Sequence, residues 1–77
     1  MNQKQEEEFD YSRYSGGIEN SLKKVSVKNR LVTLKQLQLE TAIPRDLIIE
    51  VLDREEVRFP DRVDEIVDEK EGKTWKK

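Results

Sequence analysis

The chain has neither cysteine nor histidine among its 77 residues. Without cysteine there is no disulfide framework and no thiolate zinc site. Without histidine, the usual metal ligand and the commonest general acid or base are both missing. Catalysis would need paired carboxylates in a cleft, or an activated lysine or serine, and a chain this short seldom encloses such a cleft. No enzyme activity, cofactor or metal is therefore expected. Carboxylates alone remain as metal ligands, and no stretch has the Asp/Asn/Gly spacing of a calcium loop. Long apolar runs are also missing: none approaches the roughly 20 residues that span a bilayer. The acidic, polar start lacks the apolar segment of a secretory signal. These absences predict a cytoplasmic protein with no membrane partner.

Apolar residues make up 34% and charged residues 42%, so one small domain is expected, in a size range where a single core is marginal. The net charge of −2 conceals an uneven distribution. From Leu22 to Lys35 there are five positive residues (Lys23, Lys24, Lys28, Arg30 and Lys35) and no negative one. From Asp53 to Glu71, nine residues are negative and four positive. A chain so divided can offer nucleic acid one basic face, or a protein partner two complementary ones.

Residues 1–20, "MNQKQEEEFDYSRYSGGIEN", are polar, contain Gly16-Gly17 and show no apolar periodicity. They read as a disordered, acidic-aromatic arm in which Phe9, Tyr11 and Tyr14 are either incidental or a short partner-binding motif. Val25 and Val27 then alternate with polar residues before a turn at Lys28-Asn29-Arg30. This predicts a short strand around Lys24–Lys28, with a short helix from Ser21 as the alternative.

The stretch from Thr33 to Asp53 is more informative. Thr33 can N-cap a helix, with Gln36 three residues on to complete a capping box. Leu34 and Leu37 lie one helical turn apart, and Leu39 is left to face a second surface. Pro44 disfavours a helical conformation at Ile43, so the helix should stop near Thr41. Pro44 suits the first turn of a new helix running to about Glu55, where Asp46 complements the helix dipole. Leu47, Ile48, Val51 and Leu52 form its buried stripe, and Glu50 and Arg54 a surface i, i+4 pair. Downstream, Val57 and Phe59 share one side of an extended segment. Asp61 is a good N-cap, Val63, Ile66 and Val67 share a helical face, and Gly72 is a natural stop. Residues 62–71 thus read as a third helix. The alternative is a hairpin centred on "DEKEG", with "EIV" and "KTW" as the strands of a wing. The resulting division is an arm over 1–20, a domain over 21–72 and a basic tail over 73–77.

Val32-Thr33-Leu34, Leu37, Ala42-Ile43-Pro44, Ile48 and Leu52-Asp53-Arg54 resemble the helix-turn-helix of small bacterial and phage DNA-binding proteins, in particular the excisionase and MerR-type group. In that group a V-T-L-x-x-L helix precedes a G-I-P-x-x-x-I bend and a second helix ending near L-D-R. Ala42 stands where the bend usually has glycine, and Gln38 where a small inward residue is expected. The resemblance implies a mainly α, three-helix helix-turn-helix domain, with a short β-strand or wing as an addition. It also implies a second helix whose N-terminal residues enter the major groove. Its exposed positions would be Arg45, Asp46, Ile49, Glu50 and Asp53.

Two functions fit these features. One is a DNA-binding transcriptional regulator or architectural factor, acting on double-stranded DNA as a homodimer because one such module buries little surface. Lys23, Lys24, Lys28, Arg30 and Lys35 would grip phosphates, with Arg45 and Ile49 at the bases. The other is a protein-interaction module, an anti-repressor or enzyme inhibitor of phage type, that presents Asp46, Glu50, Asp53 and Trp75 to a partner's basic surface. Pro44 to Glu56 holds two arginines against five acids, which favours the second on charge. The resemblance favours the first, so DNA binding is the expected function and the protein-interaction module the alternative.

Overall fold

The computed structural model describes residues 11–77. Tyr11–Leu22 form helix α1, Leu31–Thr33 strand β1, Leu34–Thr41 helix α2 and Arg45–Asp53 helix α3; Glu65–Val67 form strand β2 and Thr74–Lys76 strand β3. The strands make one sheet in the order β1-β2-β3, with β1 parallel to β2 and β2 antiparallel to β3. Among the described residues the domain therefore mixes three helices with a small sheet.

The joint between α2 and α3 is fixed by local chemistry. The Gln36 N–H donates to Thr33 Oγ1 at 3.2 Å and the Thr33 N–H to Gln36 Oε1 at 2.9 Å, so the capping box is complete. Ala42 ends α2 in the left-handed region, φ 61° and ψ 17°, and its N–H closes the last turn on the Gln38 carbonyl at 2.8 Å. Thr41 Oγ1 accepts the Ile43 N–H at 3.0 Å while donating to the Leu37 carbonyl. Pro44 is extended and starts α3 as its N-cap, where a missing N–H costs nothing.

The core is one cluster. It takes Ile18 and Leu22 from α1, Leu34 and Leu37 from α2, Ile48, Val51 and Leu52 from α3, and Val32 and Ile66 from the sheet. Val32, Ile66 and Trp75 are register neighbours and form a row across the three strands. Val32 and Ile66 are fully buried and Trp75 partly so, which fixes the sheet's inner face. Leu47, expected in the buried stripe of α3, is only partly buried.

Several expectations are corrected. Residues 11–20 are helical, and Tyr11, Tyr14, Ile18 and Leu22 follow a helical period and pack on or into the core. Burial of that stripe outweighs the propensity cost of Gly16 and Gly17. Phe9 and the rest of 1–10 lie outside the described residues. The early strand is Leu31–Thr33 and not Lys24–Lys28: the chain first turns tightly at Asn29 and Arg30, φ 56° and 62°. The helix over 62–71 is replaced by the hairpin alternative, "EIV" paired with "TWK". There Ile66 is fully buried between Val32 and Trp75 in the row across the three strands. Gly72 does take a positive φ, 78°, but in the hairpin turn. Residues 73–77 are accordingly not a tail: 74–76 are strand β3.

Candidate functional site

The five cations from Lys23 to Lys35 are divided among the end of α1, the turn before β1 and the first turn of α2. Arg30 is committed: Nε and Nη2 donate to the two Asp64 oxygens at 2.8 and 3.1 Å, and Nη2 also donates to the Asp61 carbonyl. Asp64 holds the Arg30 guanidinium above its ordinary pKa, and Arg30 in turn lowers that of Asp64. Lys23 and Lys24 follow α1, Lys28 sits on the turn before β1, and all three are exposed. Lys35 stands beyond the other end of β1, in the first turn of α2, beside the β2–β3 turn.

α3 is pinned to that hairpin at both ends. At its start, Arg45 Nη2 lies 2.5 Å from Asp68 Oδ2, with the Asp68 side chain 3% exposed. Glu71 lies 3.7 Å from the same guanidinium group. Asp68 Oδ1 also accepts the Lys70 N–H at 3.1 Å, so this carboxylate orders the turn as it pairs. At the end of α3, Asp53 accepts from Lys73 Nζ at 3.0 Å and from Trp75 Nε1 at 2.9 Å. The bond from Lys73, then that from Trp75, holds the Asp53 carboxyl below its ordinary pKa. A carboxylate opposes the negative end of a helix dipole, and the Lys73 ammonium offsets that cost. Lys73 also lies 5.4 Å from the Trp75 ring centroid.

The expected site residues thus separate. Arg45 serves the fold, and Asp53 and Trp75 bind each other. Ile49 is partly buried against the core. Glu50 accepts from the Tyr11 hydroxyl, which raises the phenol pKa, and the Arg54 guanidinium lies 4.0 Å above the Tyr11 ring. Arg54 makes its ion pair with Glu56, at 3.4 Å. Asp46 projects into solvent with a side chain 97% exposed. Asp46, Glu50 and Asp53 stand at i, i+4 and i+7, so they form one ridge along α3.

Sequence reading missed Asp68, Lys73 and Tyr11 as partners of α3. Their separations of 23, 20 and 39 residues leave no local signal. Among the described residues no three carboxylates cluster as a metal site, and no helix is long and apolar enough to cross a membrane. No family model, curated protein or solved structure matches the chain.

Proposed function

We propose that the chain is a protein-interaction module that binds a partner's basic surface through the acidic ridge of α3. The observation that carries this reading is the internal commitment of cations on that face. Arg45 is paired with Asp68 at 2.5 Å and Lys73 with Asp53 at 2.8 Å, while Asp46, 97% exposed, has only a longer 3.8 Å approach to Arg45 Nη1. α3 holds one arginine against three carboxylates. Duplex DNA carries one negative charge per roughly 1.7 Å of axis, and phosphate contacts supply most non-specific affinity. A carboxylate-rich face works against that term, whereas a basic protein surface gains encounter rate and specificity from it. The activity fits an anti-repressor or an inhibitor that occupies a nucleic-acid-binding surface.

A second reading, DNA binding by a helix-turn-helix, is supported by the hairpin beside α3. It agrees with the strand-or-wing form implied by the excisionase and MerR-type resemblance. A labelled mixed-sequence duplex, titrated at low salt and followed by fluorescence anisotropy, separates the two. The protein-partner reading predicts no binding at tens of micromolar, a concentration within the range where non-specific duplex binders associate. Saturable binding there would overturn it in favour of the DNA reader.

A further inference from the structure

Leu39 is the one large apolar side chain exposed among the described residues, at 76%. It borders a groove of about 640 Å³ between α2 and the β2–β3 turn. Leu34, Lys35 and Gln38 complete the α2 side, and Glu69 and Lys70 stand on the turn side. Lys35 and Leu39 are an i, i+4 pair, so ammonium and leucine are neighbours on one face. The end of the groove is closed by the Arg45–Asp68 pair, whose charges cancel at 2.5 Å. Among the described residues Lys35, Lys70 and Glu69 have no ion-pair partner, so the lining side chains carry a surplus of one positive charge.

We infer that this groove docks an acidic protein segment by one bulky apolar side chain. That side chain packs on Leu39, and carboxylates before and after it meet Lys35 and Lys70. The polarity is opposite to that of the α3 ridge, so a basic segment that suits the ridge does not suit the groove. A duplex would find two ammoniums here but also a projecting leucine and the Glu69 carboxylate. The inference rests on the reading of the chain as a protein-binding module, but it assigns a separate surface with its own ligand chemistry.

The test uses the full chain, labelled with nitrogen-15, and three blocked peptides. The first has one leucine among glutamates, the second serine in place of that leucine, and the third lysines in place of the glutamates. The first peptide should shift the amides of Lys35, Gln38, Leu39 and Lys70. Leu39→Ser, and separately Lys35→Glu with Lys70→Glu, should each weaken it about tenfold or more, the scale of losing one anchor. All these side chains are exposed, and unchanged amide dispersion elsewhere verifies that the variants fold. The inference is overturned if the first peptide shifts none of these amides at about 1 mM, a concentration that detects affinities down to the millimolar range. It is equally overturned if the serine or lysine peptide binds the groove as well as the first. Groove shifts that appear on concentrating the protein alone, or on adding duplex, would assign the groove to a second copy or to DNA and overturn it too. The ridge is read independently, by shifts at Asp46, Glu50 and Asp53 with the lysine peptide, so either surface can fail alone.

Discussion

Ala42 ends α2 at φ 61° and ψ 17°, in a conformation that costs an L-residue about 1–2 kcal/mol and glycine almost nothing. Ala42→Gly removes that cost. Glycine also gives the unfolded chain more freedom, which takes back about 0.4–1 kcal/mol. Ala42 is exposed, so loss of its methyl leaves no cavity. The balance is a stabilisation of about 0.5–1 kcal/mol, or roughly 2–8 °C in Tm for a domain of this size. Thermal and urea unfolding followed by circular dichroism would measure it, with an unchanged urea slope to show that only stability moved. The opposite swaps are the controls. Gly16 is helical and nothing lies within 4 Å of an added Cβ, so Gly16→Ala should stabilise by about 0.5–1 kcal/mol. Gly72 has φ 78°, so Gly72→Ala should destabilise by about 1 kcal/mol. A lowered midpoint for Ala42→Gly, or an unchanged one for Gly72→Ala, would refute the backbone account of both turns.

Three further outcomes are expected. Arg45→Ala leaves the Asp68 carboxylate buried without its counter-charge and should cost about 3 kcal/mol in urea unfolding, whereas replacing both residues by apolar ones of similar volume should recover most of it. Ile66→Ala removes the centre of the sheet's inner row and should cost about 2–5 kcal/mol by the same assay. Asp53 and Asp64 have lowered folded-state pKa values, so each stabilises the fold above the ordinary carboxylate pKa near 4 and loses that contribution as pH falls through its folded value. Stability should therefore decline from about pH 5 downward, with a change in Trp75 fluorescence that Asp53→Asn abolishes.

The helical pair was legible because its determinants are local. Thr33 and Gln36 are three residues apart, and Pro44 restricts its own neighbour. The sheet was not legible as first choice. Val63, Ile66 and Val67 fit a helical face as well as a strand, and three-residue strands are too short to show a period of two. Pairing with Val32, more than thirty residues upstream, decides the outcome. α1 was hidden by Gly16-Gly17, although Tyr11, Tyr14, Ile18 and Leu22 carry its period. The candidate site followed the same rule. The acidic ridge of α3 could be read from spacing alone. That Arg45 is spent on Asp68, and that Asp53 holds Trp75, depends on a hairpin that brings distant residues together.

The central claim is that the α3 face selects basic protein over nucleic acid. Its most direct test is a parallel titration of the labelled chain with a lysine-rich helical peptide and with a mixed-sequence duplex, both at low salt. The account predicts peptide-induced amide shifts at Asp46, Ile49, Glu50 and Asp53 that shrink with added salt and vanish in Asp46→Lys with Glu50→Lys. Shifts of the same amides by the duplex, with none from the peptide, would contradict it.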